Sequence, residues 1–312
     1  AGRLITDIIG YAAKRRDGLL LLDGVNGLYD RFGFVSVHNW TQFTLQIDEI
    51  LNGPTADMPI RQATVVDAAD LQARYFHHFG AYTGSFLRTS ALQRHHLRAG
   101  NPYSKVFIAY AADGRSRGHM KHHTLQHGSS SEVTADDPET AVALLHHHAA
   151  VARSHDPEAD ALHWLVPPHS ELADWLADRY EVVIRTPVQP HGGWMARVGA
   201  LDVLLDAILP TWQAYWLARN IAWHGRIELC IGEHRHILAI CRGGLSLARA
   251  SDATTLPRVM LPLGIFTQLC FGYRTLAWAS AQPGVQLPRE LLPVLDALFP
   301  RRPAWIAGSD FF

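Results

Sequence analysis

Apolar positions near the start of the chain recur at helical spacing: Leu4, Ile5, Ile8, Ile9, Ala12 and Ala13, followed by Lys14, Arg15 and Arg16. Cations in a last turn suit the negative end of a helix dipole, and Gly18 supplies a stop. Residues 19–22 are four leucines in a row, the pattern of a strand buried on both faces. A short helix carrying Tyr29 and a second strand at 34–37 continue this α/β grammar. The stretch reads as the second half of a domain whose first half lies outside the chain.

Residues 52–59 (NGPTADMP) form a turn-rich break, after which a new unit is expected. Its pattern predicts a strand at 60–64, a helix at 66–80, and two strands within 105–120 around an Asp113-Gly114 hairpin turn. A polar loop then precedes a helix at 139–153, a strand at 162–166 and a helix at 170–178. Strands at 182–186 and 194–198 close the unit. An amphipathic helix from Leu201 (Leu204, Leu205, Ile208) opens a third unit, with strands at 227–231, 236–240 and 245–250. LPLGIFTQLCFGY and PRELLPVLDALF follow as helices, the second with proline near its first turn. The fold class expected throughout is α+β.

Composition narrows the function classes. At 312 residues, with 48% hydrophobic, the chain has enough apolar mass for two or three cores. A formal net charge of -1 recommends neither nucleic acid nor an anionic membrane as a partner. Cys230, Cys241 and Cys270 are odd in number and lack CxxC spacing, so they read as reduced thiols. No apolar run reaches the ~20 residues that span a bilayer, and the expectation is a cytoplasmic protein. The 19 histidines include adjacent pairs and a triplet at 146–148. Neighbouring imidazoles on one element point in different directions, so hydrogen-bonded or solvated rings are expected, and no metal site.

The string AGRLITDIIGYAAKRRDGLLLLDGVNGLYDRFGF, residues 1–34, resembles the later part of a GCN5-related N-acetyltransferase (GNAT) domain. PIRQAT, PPHSELADWL, GGWMARV and the tail LPVLDALFPRRPAWIAGSDFF resemble the enhanced-intracellular-survival (Eis) type of that family. The resemblance implies three parts: the C-terminal part of a catalytic GNAT domain at 1–52, a second GNAT-like domain at 57–199, and a sterol-carrier-protein-like domain at 200–312. It also implies that the N-terminal half of the catalytic domain is missing. A sterol-carrier fold alone does not imply lipid transport.

The activity implied is transfer of an acetyl group from acetyl-CoA to a primary amine: an aminoglycoside, a lysine or a polyamine. Backbone N–H groups at a helix N-terminus receive phosphate, and glycine permits close approach. Gly2 stands where the last glycine of the pyrophosphate turn belongs, with Arg3 beside it as a cation. The counterpart of Tyr29 is the general acid. The terminal carboxylate, here that of Phe312, is the base. The alternative for Tyr29 is an ordinary core tyrosine with a satisfied hydroxyl. The alternative for the tail is a frayed end, against which stand Trp305, Ile306, Phe311 and Phe312 as anchors. A homo-oligomer, commonly a hexamer, is implied for a full-length member. From a different class comes a non-catalytic scaffold, or a binder of an apolar ligand through the third module.

Overall fold

The amphipathic opening stretch forms α1 (Gly2–Arg15), and the leucine run behind it forms β1 (Leu19–Gly24). The computed structural model describes residues 2–98, 102–250 and 255–310. After a 3-10 turn at Asp30–Phe32 come β2 (Val35–His38), β3 (Gln42–Gln46) and the short α2 (Ile47–Asn52). β4 (Ile60–Gln62) leads through α3 (Ala68–Phe79) and α4 (Ser90–His96) to β5 (Ser104–Tyr110), β6 (Ser116–His123) and β7 (Ser129–Ala135). Helices and strands then alternate: α5 (Pro138–His155), β8 (Ala161–Leu165), α6 (Glu171–Arg179) and β9 (Val182–Arg185).

β10 (Gly193–Val198) precedes the long α7 (Leu201–Arg219). The strands β11 (Gly225–Ile231), β12 (His234–Cys241), β13 (Gly244–Arg249) and β14 (Arg258–Leu261) follow. Helices α8 (Leu263–Cys270), α9 (Leu276–Ser280) and α10 (Leu292–Leu298) complete the order.

These elements divide into two compact units, Ala1–His38 with Gln189–Ala304 and Asn39–Val188 with Trp305–Phe312. The first unit holds a three-stranded sheet, β1-β10-β2, and a four-stranded sheet, β13-β12-β11-β14. Leu205, Trp212, Ile227, Leu238, Phe266 and Leu295 share its main core. The second unit holds one seven-stranded sheet in the order β4-β5-β6-β7-β8-β3-β9. Its neighbours are antiparallel except β7 and β8, which run parallel and are joined through α5. A parallel pair needs such a crossover, because a hairpin cannot connect it.

Two sets of strands share one pairing pattern. In β1-β10-β2 and in β8-β3-β9, the central strand is antiparallel to both neighbours and comes from the other part of the sequence. The chain ranges expected as domains at 1–52, 57–199 and 200–312 therefore do not coincide with the units. Residues 39–52 lie with the second unit, and 189–199 lie with the first. Residues 200–304 share the first unit with α1 and β1, while 305–312 return to the second.

The stretch expected as a polar loop contains β7, SSSEVTA, which is buried along almost its whole length. Polar residues are tolerated there because Ser130, Glu132 and Thr134 find partners within the sheet or beside it, although the buried Ser131 hydroxyl finds none among the described residues. Ser130 Oγ donates to the Lys121 carbonyl at 2.9 Å, and Thr134 Oγ1 meets His119 Nδ1 at 2.8 Å. Neither α4 nor β14 was foreshadowed by the apolar pattern, and the short helix expected around Tyr29 is the 3-10 turn just after it.

Many histidines pack against one another. Trp164 Nε1 donates to His148 Nδ1 at 2.7 Å, and the opposite ring nitrogen lies 2.8 Å from the His127 carbonyl. That pair of partners selects the neutral tautomer with the proton on Nε2. His122 Nε2 lies 3.3 Å from His127 Nδ1, and the His127 and His155 rings stack at 3.8 Å. Among the described residues no group of three His, Cys, Asp or Glu side chains is disposed to hold a metal ion. No helix among them is long and apolar enough to cross a membrane.

Burial pushes His148 down to about 3, and burial reinforced by His127 pushes His122 down to about 4. Both rings are neutral in the fold, so the stability they allow is complete above the unfolded value near ~6.5 and is lost as pH falls below it. Each contributes a slope of up to ~1.4 kcal/mol per pH unit between there and its folded value. Urea midpoints should therefore drop between pH 7 and pH 5. His148→Leu should be destabilised by ~1–3 kcal/mol at pH 7, through the orphaned indole N–H, and should show a shallower pH slope. Equal midpoints at pH 7 and 5 in the unaltered protein would refute this.

Candidate active site

The residues singled out by resemblance fall into the two units. Gly2, Arg3 and Tyr29 lie in the first; the tail lies in the second. Phe312 itself lies outside the described residues.

In the first unit, Gly2 opens α1, and the first turn of this helix carries no acidic side chain. Arg3 is exposed. A Cβ built on Gly2 would meet only the Phe32 ring, at 3.6 Å, so the tip of the Tyr29 turn packs beside the start of the helix. Tyr29 is half-buried, with its ring edge-on to Phe34 at 6.0 Å. Its carbonyl accepts from the N–H groups of Phe32 and Phe34, at 3.0 and 3.3 Å. Gly33 sits at φ 81, in the left-handed region where a side chain is strained, which explains the glycine in Phe-Gly-Phe. Among the described residues the Tyr29 hydroxyl has no hydrogen-bond partner.

Arg197 on β10 secures the turn: its Nε donates to the Phe32 carbonyl at 2.8 Å. Burial lowers its pKa, and no carboxylate stands close enough to pair with it among the described residues. Sequence reasoning missed this residue. β10 lies 165 positions from Phe32 in sequence, and nothing in GGWMARV signals the pairing with β1 and β2.

In the second unit, residues 305–310 are packed, not frayed. Trp305, Ile306 and Ala307 are buried. The Trp305 ring stacks on Phe79 at 6.2 Å, and the backbone N–H of Trp305 donates to the Thr83 carbonyl at 2.9 Å. β7 and β8 pair only at Ser129 with His163 and Ser130 with Trp164. Beyond that register Gly308 lies between them. A Cβ there would come within 2.8 Å of Leu165 Cδ1 and 2.9 Å of Ser131 Cβ, so glycine is a steric requirement. A crevice beside parallel strands of an α/β sheet is where ligands usually sit. Here the chain's own tail fills it.

Asp310 sits among buried charges. Arg88 Nε donates to Asp310 Oδ1 at 2.9 Å and its Nη2 to Asp310 Oδ2 at 3.0 Å. Tyr75 donates its hydroxyl proton to Asp310 Oδ2, also at 3.0 Å. Arg88 forks onto Glu132 as well, through Nη1 at 3.0 Å and through Nη2. His119 Nε2 meets Glu132 Oε1 at 2.7 Å. The Arg88, Asp310 and Glu132 side chains are at most 3% exposed. Burial raises the carboxyl of Asp310 despite Arg88. For Glu132 burial is outweighed by Arg88 and His119, which hold it well below the usual carboxylate range.

The N-terminus of α5 is closed in a comparable way. Asp137 Oδ1 accepts from the Thr140 N–H and hydroxyl, both at 2.7 Å, and Arg117 donates to Oδ2 at 2.7 Å. A helix start already holding a carboxylate has little left for a phosphate.

No family model and no curated protein matches the chain. Solved structures do. A GCN5-related N-acetyltransferase from Anabaena variabilis ATCC 29413 is 13% identical with a TM-score of 0.69, over 99% of this chain and 77% of that one. A GCN5-related N-acetyltransferase from Kribbella flavida is 17% identical with a TM-score of 0.68, over 99% and 74%. Eis1 from Mycobacterium abscessus is 15% identical with a TM-score of 0.57, over 100% and 77%. The mixed α/β fold is thus shared with GNAT proteins, an Eis protein among them.

Glu132 provides a stability test of this centre. Glu132→Gln leaves Arg88 with one carboxylate in place of two inside the core. Breaking a buried ion pair costs ~3–5 kcal/mol, and urea unfolding at pH 7 should show a loss of that order. A loss below ~1 kcal/mol would mean the pair is solvated and weak.

Proposed function

We propose that the chain belongs to an acetyl-CoA-dependent N-acetyltransferase acting on a primary amine. The observation that carries this is the Tyr29 turn: a tyrosine with an uncommitted hydroxyl, held beside an acid-free helix start that opens with glycine. The shared fold supports it. In this reading the start of α1, with Gly2 and Arg3, receives the pyrophosphate of the cofactor. The amine nitrogen attacks the thioester carbonyl carbon, and the carbon–sulfur bond breaks. The terminal carboxylate of Phe312 takes the amine proton, and Tyr29 gives its own to the departing thiolate. A free α-carboxylate has pKa ~3.5, too weak a base at neutral pH unless burial raises it. The packed tail supports such a setting.

Apart from the tail, the second unit then serves as architecture, since its α5 start holds Asp137 and its crevice holds residues 305–310. The module expected at 200–312 is proposed as a sterol-carrier-like scaffold and not a carrier. Trp212, Phe266 and Phe299 meet edge to face at 5.2–6.4 Å and fill its core.

Tyr29→Phe keeps the ring and removes only the hydroxyl. Turnover should fall ~10²–10⁴-fold, the usual worth of a general acid, with acetyl-CoA affinity within a few-fold and the melting temperature unchanged. Adding one glycine after Phe312 displaces the carboxylate by up to ~3.6 Å and should lower turnover comparably. A Tyr29→Phe protein with full turnover would return this residue to ordinary packing.

The homo-oligomer is proposed too. Leu4, Ile8 and Tyr11 form an exposed apolar stripe on α1, at 52–64% exposure. Sedimentation velocity should show an assembly that Ile8→Glu reduces to smaller species. A monomer at micromolar concentration would contradict the proposal.

A further inference from the structure

The second unit holds a cavity of about 220 Å³ whose lining includes residues of β6, β7, β8 and β3. Strand pairing explains the opening. β8 and β3 run in register, Gln42 opposite Leu165 and Thr44 opposite His163, whereas β7 meets β8 only at Ser129 and Ser130. On its other side β7 is bulged. Lys121 opposes Glu132 and His122 opposes Ser130, which leaves Ser131 unpaired between them. A bulge re-aims the side chain of its extra residue. Ser131 lines the cavity, is 3% exposed, and its hydroxyl has no partner among the described residues. An orphaned buried hydroxyl is costly unless something from outside completes it.

The rest of the lining carries neither Lys, Arg, Asp nor Glu among the described residues. The side-chain amides of Gln42 and Gln126 make no hydrogen bond among them, and His163 spends Nδ1 on Thr44 Oγ1, 3.1 Å away. Burial, with Lys121 nearby, lowers His123, so that ring is neutral at pH 7. Amides, hydroxyls and neutral imidazoles each both donate and accept. Trp40 adds an aromatic wall, and the electron-rich face of an indole attracts polarised C–H groups. A charged ligand would lose its hydration here without gaining a counter-charge. A ring with hydroxyls around its edge and C–H groups on its face matches the lining. The cavity, at about 220 Å³, falls below the ~300–1,000 Å³ of sites for drug-sized ligands, which suits a single small ring.

We propose that this cavity is a binding site for a neutral monosaccharide unit: the Ser131 hydroxyl and the Gln42 and Gln126 amides hold its hydroxyl groups, and the Trp40 indole packs on its C–H face. A neighbouring depression of about 560 Å³ shares Gln42, Gln126, Ser129 and His163 and continues to Asp156 and Asp160. It gives a disaccharide room for its second ring, and its carboxylates repel a phosphorylated sugar. The site lies wholly within the second unit and is independent of the acetyltransferase reading.

Titration calorimetry of the intact chain with methyl glucopyranoside, methyl galactopyranoside and maltose tests this, with glucose 6-phosphate and glucosamine as charged comparators. At least one neutral sugar should bind at a single site with Kd near ~1 mM, the range open to so small a ligand. Both charged comparators should bind at least ~10-fold more weakly. Ser131→Ala removes the hydroxyl and keeps the Cβ beside Gly308. It should weaken binding ~5–30-fold, with an equal or higher urea midpoint. Trp40→Ala should abolish binding, and Trp40→Phe should retain it within a few-fold. Should Trp40→Ala not fold, Gln42→Ala serves in its place, with a ~5–30-fold loss expected. No saturation by any of the three neutral sugars up to ~20 mM would overturn the site, as would tighter binding of either charged comparator. Sugar binding left unchanged by Ser131→Ala and by the Trp40 or Gln42 variant would overturn its location.

Discussion

A guanidinium taken out of water must be given oxygen acceptors on nearly every N–H, and in the second unit Arg88 imposes that demand. Its acceptors come from one nearby and two distant places in the sequence: Gln93 on α4, Glu132 on β7, and Ser309 with Asp310 in the tail. Much of what is unusual about the unit follows. β7 is polar because it must supply Glu132, and His119 and Thr134 are drawn inward to complete the bonding around it. Tyr75 lies under the Arg88 guanidinium, 3.6 Å from it, and spends its hydroxyl on Asp310. The apolar anchors Trp305 and Ile306 bring the segment into reach, and the charges fix Asp310.

How much of this was legible in the sequence depends on the kind of force involved. Elements whose apolar residues follow a period or a run were readable, even where burial does not match it: α1 from Leu4, Ile8 and Ala12, of which only Ala12 is buried, β1 from its half-buried leucines, and the β5–β6 hairpin from Asp113-Gly114. β7 was not, because SSSEVTA carries the composition of a loop and is buried only through partners that lie elsewhere in the chain. The unit boundaries were hidden for a different reason. β3 and β10 have ordinary strand patterns, and no local signal says that each joins a sheet built mainly from another stretch. The Tyr29 turn was visible because its chemistry is local: a tyrosine, a 3-10 turn and a glycine at positive φ within five residues. Arg88 and Asp310 were invisible because their significance exists only as a pair.

The two related strand sets also show how one motif takes two directions. Behind α1 the helix start is free of acidic residues and the tyrosine turn packs against it. Ahead of β8 the corresponding helix, α5, is capped by Asp137, which accepts from the Thr140 N–H, and starts with Pro138, which has no N–H to offer. The first arrangement leaves the start of its helix without a carboxylate cap among the described residues. The second consumes its capacity on the protein itself, together with a crevice that the tail fills.

The returning tail has a consequence for the order in which the molecule forms. Tyr75 and Asp310 are bonded across 235 positions, and Arg88 and Asp310 across 222. The first unit likewise joins residues 1–38 to 189–304. Contacts of such long range must close large loops before they return any free energy, which slows folding. Domains of most proteins settle one after another as they leave the ribosome. Neither unit here can do that. Until residue 310 has emerged, the seven-stranded sheet carries an open crevice and an Arg88 bonded to Glu132 but still lacking Asp310, so the second unit is completed only at the end of synthesis.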